Sequence, residues 1–404
     1  MLDQVAQKSK FSAYEYPHYI KYMGSKTKIM DFVIDGINDV YDGGMVLDLF
    51  AGSASLSGAL RNQVAVHSND IQEYSAVLAA SYLTAYSDSK TPSSEEILGK
   101  AERIVKEHLH VVTDELKYNN IDGLENFNEV EKSNRYLIEL KFDYDYHLFS
   151  KNYSGTWWTA EQCIWIDALR EVAEQYKRSP VYPVIISSLM YAMAYTSQGT
   201  GHYAQYRDAK TISSMKDIMI YRKREVSHYF NRKYNDAIRD IPESENIKGH
   251  KFTSLDFSDC LESFDGGTVY ADPPYCFVHY SRFYHALETI VKYDYPELQI
   301  KGGRIVKGRY RENRHQSPFC IKTQVGNAFE RMFQGVRKSQ SNLVLSYSKN
   351  GMIDIEKLEK LALEILGRKY ELDLLSRDYK HMTLGRQGDR HRDVEECLLL
   401  AKHK

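Results

Sequence analysis

Apolar residues in 27–40 recur at helical spacing, with Ile29, Phe32, Val33 and Ile37 on one face. The period then changes. Met45-Val46-Leu47-Asp48-Leu49-Phe50 reads as a buried strand, and Ala51-Gly52-Ser53-Ala54-Ser55 as a small-residue turn opening a helix at Leu56. Val64–Ser68 is a second strand that ends at Asn69-Asp70, and residues 71–86 are again helical. Strand, turn, helix, strand and terminal acid, in that order, predict an α/β fold built on a doubly wound sheet.

From residue 87 to about 250 the pattern is polar, rich in Tyr, Lys and Glu, and mainly helical. Strand signals return only near Lys251-Phe252-Thr253. Further strands are expected at Gly267–Ala271, at Asn342–Tyr347, and at Tyr370–Leu375 and Cys397–Ala401, the last two as an edge hairpin. The chain therefore divides into 1–86 and 251–404, two parts of one sheet domain, with 87–250 an inserted helical module. There are no repeats and no low-complexity linker.

Composition narrows this picture. The 404 residues, 43% hydrophobic, support a sizeable core. No apolar run is long enough to span a membrane, and the first residues lack a signal-peptide pattern. Five scattered cysteines (Cys163, Cys260, Cys276, Cys320 and Cys397) without metal spacing fit a reducing cytoplasm, with no disulfide framework and no metal site. The net charge is −2, so a nucleic-acid partner has to be held by a local basic face. Such a face is offered by residues 301–315, where Lys301, Arg304, Lys307, Arg309, Arg311 and Arg314 stand against one acid, Glu312. With glycines and Tyr310 between them, they suit a mobile loop gripping phosphates, although a merely solvated loop has the same composition.

Two short stretches carry candidate chemistry. Asp48-Leu49-Phe50-Ala51-Gly52-Ser53 follows a strand and opens a helix, and Gly52 lets backbone approach a ligand closely. Asp70 lies at the end of the next strand, where a carboxylate can bond ribose hydroxyls. The loop lacks the third glycine of a dinucleotide site and is not a phosphate loop, which suits a nucleoside ligand such as S-adenosylmethionine. An ordinary strand–turn–helix corner reads the same way. The second stretch is Val269-Tyr270-Ala271-Asp272-Pro273-Pro274-Tyr275. Its prolines lock φ and donate no backbone hydrogen bond, so the chain leaves the strand stiffly with a carboxylate and a ring close together. Alone, this is also a common turn.

Together with Tyr22-Met23-Gly24-Ser25-Lys26, with Asp256-Phe257 in "FTSLDFSD", and with the order in which these motifs occur, the set resembles the Dam-like, D12-class, alpha-group N6-adenine DNA methyltransferases. The resemblance covers roughly 18–85 and 250–350. It implies a Rossmann-like methyltransferase sheet and makes 87–250 the target-recognition module. It implies S-adenosylmethionine held by Tyr22, Lys26, Asp48, Phe50, Ala51, Gly52, Asp70, Asp256, Phe257 and Asp272, with Asp256-Phe257 at the cofactor adenine. Asp272, Pro273, Pro274 and Tyr275 are the expected catalytic residues, Tyr22 and Phe50 the aromatic faces for the sulfonium, and Lys26 the partner of the cofactor's carboxylate. Double-stranded DNA is the expected partner, with the basic stretch as its grip and a cognate restriction endonuclease as companion. The stretch 280–316 is longer and more basic than a minimal member needs. Related motifs also serve RNA and protein-amide methyltransferases, and a catalytically idle DNA-binding regulator on the same fold remains the reading from another class.

Overall fold

The computed structural model describes residues 11–84, 91–199, 201–240, 248–275, 277–348, 351–382 and 391–404. Cys276, Thr200, the first residues and the expected module boundary at residue 87 lie outside them.

The parallel strands are short: β1 (Val46–Asp48), β2 (Val66–Asn69), β3 (Lys251–Thr253) and β4 (Thr268–Ala271). A two-stranded hairpin, β5 (Ile300–Lys301) and β6 (Arg304–Ile305), stands apart from the main sheet. β7 (Asn342–Ser348), β8 (Tyr370–Met382) and β9 (His391–His403) complete the strands. The seven-stranded sheet runs β3-β2-β1-β4-β7-β9-β8. Pairings from β3 to β7 are parallel, and β9 is antiparallel to both its neighbours. The expected hairpin is therefore present, and its second strand lies inside the first, between β7 and the edge. Winding reverses between β1 and β4, the position at which open α/β sheets bind ligands beyond the carboxyl ends of the strands.

The helices before the polar region are α1 (Met30–Val40), α2 (Ser55–Leu60) and α3 (Glu73–Leu83). The described residues of 91–240 form α4 (Ser94–His108), α5 (Leu124–Arg135), α6 (Leu148–Tyr153), α7 (Ala160–Glu174), α8 (Tyr182–Thr196), α9 (Ile212–Arg222) and α10 (Val226–Arg239), and contribute no strand to either sheet. After β3 come α11 (Phe257–Glu262), α12 (Tyr280–Phe283), α13 (His285–Lys292), α14 (Val325–Lys338) and α15 (Ile355–Leu366).

Because side chains alternate along a strand, each strand feeds both faces. Val46, Val66, Tyr270, Val344, Leu398 and Leu400 pack with α1, α3, α13 and the helices of 91–240. Leu47, Val269, Ala271, Leu343, Leu345 and Leu399 face the other way, against α11, α14 and α15. The helical region thus shares one core with the sheet through Trp157, Trp158, Leu189 and Tyr153, all fully buried. Cys163, Cys260, Cys320 and Cys397 are buried and unbridged. No helix among the described residues is long and apolar enough to cross a membrane.

Candidate functional site

The loop after β1 makes a tight corner. Ala51 N donates to Asn69 O at 2.8 Å, tying the corner to the end of β2. Gly52 has φ +53°, and a Cβ there would come within 2.9 Å of the Tyr22 ring, so both the backbone and the space exclude a side chain. Asp70 fixes the loop from the side: Oδ2 accepts from Gly52 N and Oδ1 from Gln72 N, each at 3.0 Å. Desolvation pushes its pKa up to about 6, against the lowering effect of those backbone bonds.

Tyr22 stacks on Tyr284 with centroids 4.6 Å apart and on Tyr280 at 5.6 Å. Met23 N donates to Tyr284 Oη at 2.7 Å. These contacts lay the segment 22–26 along α12 and α13, at the mouth of a cleft. Phe50 turns the other way, edge-on to Phe319 at 5.4 Å and 6.0 Å from Phe257. Asp256 caps α11 by accepting from Ser258 N at 3.0 Å, and Arg331 lies over the Phe257 ring.

β4 delivers Asp272-Pro273-Pro274-Tyr275 to the same cleft. Its lining includes Tyr22, Asp48, Phe50, Gly52, Asp70, Asp256, Phe257, Asp272, Tyr275 and Lys26, and it holds about 1150 Å³ of space open to solvent. Every residue expected in the cofactor and catalytic sets lines this one cleft, at the reversal point of the sheet. Asp48 sits at its floor, 2% exposed, and its Oδ1 has no hydrogen-bond partner. Burial first, then the charges of Asp272 and Asp70, raise its pKa well above the carboxylate range.

Lys26 lines the cleft and is already paired within the protein. Its ammonium donates to Glu396 Oε1 at 2.6 Å and lies 3.3 Å from Asp272 Oδ1, with the Tyr275 ring 5.1 Å away. Burial disfavours the ammonium, but the charges of Asp272 and Glu396 outweigh it and hold the Lys26 pKa well above its usual value. Burial also raises the pKa of Asp272, opposed by Lys26 and assisted by Glu396. Glu396 and Ser346 were not singled out in the sequence. The pair of acids Glu395-Glu396 in "EECLLL" gives no sign of which one meets Lys26 until β9 is known to lie beside β7.

The basic stretch divides into tethered and exposed cations. Arg309 is buried and donates to the carbonyls of Asn152 and Arg135, at 2.6 and 3.0 Å. Arg311 forms a two-pronged pair with Asp294, at 2.7 and 2.5 Å. Arg314 donates to Arg311 O and Gln299 Oε1, and Lys307 pairs with Asp208. These are tethers rather than the arms of a mobile loop, because backbone carbonyls and nearby acids already occupy the guanidinium donors. Lys301 and Arg304 are exposed on the β5–β6 hairpin, joined by Gly302-Gly303 at positive φ. Past Arg314 the chain runs straight into His315-Gln316-Ser317, which line the cleft.

The sheet order and this switch-point cleft are those of the Rossmann-like methyltransferase class. The chain belongs to the D12 class N6 adenine-specific DNA methyltransferases, whose family model matches residues 22–360. It is similar to modification methylase LlaI of Lactococcus lactis subsp. lactis, with 24% identity over 85% of this chain and 48% of that protein. Type II methyltransferase M.FokI of Planomicrobium okeanokoites is 25% identical over 85% of this chain and 46% of its own length. The chain thus spans about half the length of these two relatives. Type II methyltransferase M.NlaIII of Neisseria lactamica is 22% identical over 92% of this chain and 95% of its own.

Proposed function

We propose that this chain transfers a methyl group from S-adenosylmethionine to the N6 amino group of an adenine turned out of duplex DNA. The observation that carries the reading is the meeting of Asp272-Pro273-Pro274-Tyr275 with the Gly52 loop and Asp70 in one cleft. The residues fit the cofactor: Asp70 accepts only one backbone bond per oxygen, leaving lone pairs for ribose hydroxyls. The unpartnered oxygen of Asp48 suits the cofactor's ammonium. Phe50 and Phe257 wall one end together, which favours Phe50 as a neighbour of the cofactor adenine and leaves Tyr22 for the methionine end.

Bound there, the cofactor supplies an electrophilic methyl on a sulfonium. The N6 lone pair of adenine is delocalised into its ring, so two acceptors aimed at the N–H bonds favour a pyramidal, nucleophilic nitrogen. Asp272 supplies one acceptor and the Pro273 carbonyl the other, held by the stiff Pro-Pro geometry. The donor would give up its methyl to N6 and keep the sulfur electron pair, and Asp272 would take the proton that the acidic methylated nitrogen releases. A carboxylate is too weak a base to remove a proton from neutral adenine first. Turning the base out costs a few kcal/mol. Tyr275 offsets part of this by stacking on it, by about 1–3 kcal/mol. The hairpin at Lys301 and Arg304 is the surface for DNA phosphates, and 87–250 is the module that reads the target sequence. A restriction endonuclease as companion is proposed from the names of the relatives.

The test offers tritiated methyl donor to the protein with duplex DNA, RNA and protein in turn. Label should enter duplex DNA alone and vanish with Asp272→Ala. Cofactor binding without turnover on any of the three would instead support the idle regulator.

A further inference from the structure

Behind Asp272 lies a buried cluster of one cation and two carboxylates. Lys26 is 4% exposed at its side chain, Glu396 0% and Asp272 18%, so Asp272 is the most open of the three; Lys26 and Asp272 line the cleft and Glu396 lies behind them. The ammonium is not shared equally, lying 2.6 Å from Glu396 and 3.3 Å from Asp272. Ser346 Oγ donates to the same Glu396 oxygen at 2.6 Å. The opposite oxygen, Glu396 Oε2, is buried and has no hydrogen-bond partner. Glu396 is placed by β9, whose antiparallel register sets it opposite Ser348 on β7, two residues beyond Ser346.

A lysine given wholly to Asp272 would occupy the lone pairs that an incoming amine needs and would weaken the carboxylate as an acceptor. We propose that Glu396 is a positioning residue for Asp272: seated by Ser346, it draws the Lys26 ammonium aside and leaves Asp272 an oxygen open to the target amine. This rests on the reading of Asp272 as that acceptor. Glu396 acts through charge as well, as a like charge behind Asp272 that raises its affinity for the proton released after transfer. The remaining titratable groups around the carboxylate are Asp48 on β1, Tyr270 on β4, Tyr275, and Tyr280 on α12. All are left in place by a change at Glu396, so a shift at Asp272 reports on Glu396.

Glu396→Gln keeps an acceptor for Ser346 and Lys26 while removing the charge. It leaves Lys26 and Asp272 as a neutral pair, so no lone buried charge opposes folding. The readout is the titration of the Asp272 carboxyl carbon in protein labelled with ¹³C-aspartate, the resonance being assigned by its loss in Asp272→Asn. In Glu396→Gln the midpoint should fall by about one pH unit as Lys26 turns to Asp272. The acid limb of kcat on duplex DNA should move with it, kcat should drop about tenfold, a change of about 1.4 kcal/mol, and both KM values should stay within twofold. Glu396→Asp, which restores the charge, should return the midpoint toward wild type. A midpoint that does not move in Glu396→Gln overturns the proposal. If that variant does not fold, Lys26→Met and the double variant Lys26→Met/Glu396→Gln are compared, and equal midpoints there overturn it too. Because the titration needs no turnover, a wild-type protein that methylates nothing would refute the functional reading while the midpoints still decide this one.

Discussion

Replacing Lys301 and Arg304 together by alanine is expected to weaken DNA binding without loosening the fold. Both side chains are exposed on the β5–β6 hairpin, and neither makes an ion pair among the described residues. If each contacts one phosphate of a B-form duplex, the slope of log K against log salt falls by about 0.9 per residue, or about 1.8 for the pair. Between 50 and 200 mM salt the wild type should then lose about tenfold more affinity than the variant does. Fluorescence anisotropy with a labelled duplex over that range reads the slope directly. The loss should be equal for any duplex sequence, since phosphates carry no sequence. The hairpin carries Ile300 and Ile305, 60% and 40% exposed, and both stay in place, so the thermal midpoint of unfolding should not change. An unchanged slope with unchanged affinity refutes the reasoning and moves the phosphate contacts elsewhere. A loss confined to one sequence would mean that one of these cations reads a base edge instead.

Arg309→Ala should behave oppositely, lowering stability by about 2–4 kcal/mol as two carbonyls lose charged donors, while the salt slope holds; urea unfolding and anisotropy check the pair of outcomes. Asp70→Ala should weaken S-adenosylmethionine binding by about 1.5–3 kcal/mol by calorimetry, through lost charged hydrogen bonds and a loosened Gly52 loop. Gly52→Ala should reduce the same affinity, because the residue sits at positive φ with the Tyr22 ring in the way. The pKa of Asp272 is raised in the fold, chiefly by burial, and the ionised form is the acceptor. The methylation rate should therefore fall as pH drops through a midpoint above the ordinary carboxylate range, and a rate constant unchanged down to pH 5 would contradict this.

What the sequence made legible was local. β1, its turn, β2 and β4 are each marked by a few adjacent residues, and the cleft follows because parallel strands bring their carboxyl ends to one edge. Gly52 and Asp70 could thus be offered as candidates from their place in the strand–turn–helix pattern, while Asp48 and Asp272 gained their roles only from the family resemblance. Lys26 could be named but not partnered, since Glu396 reaches it from 370 residues away. That contact depends on β9 entering between β7 and β8, which alternation of apolar residues does not reveal. The six cations of 301–315 look equivalent by charge. They separate only once Asp294, Asp208 and the carbonyl of Asn152 have folded against them. The helical reading of 91–240 held because its apolar spacing is local. Its fusion with the sheet's core did not show, because Trp157 and Trp158 give no direction to their packing until α8 and α13 are in place.

The central claim is that Asp272 presents an adenine amino group to the methyl donor. Duplex DNA incubated with the protein and isotopically labelled S-adenosylmethionine, then digested to nucleosides and resolved by mass spectrometry, tests it directly. The account predicts label in N6-methyl-2′-deoxyadenosine, at one sequence context, with none when Asp272→Asn replaces the wild type. Label in a methylated cytosine, or undiminished label in N6-methyl-2′-deoxyadenosine with Asp272→Asn, would contradict it.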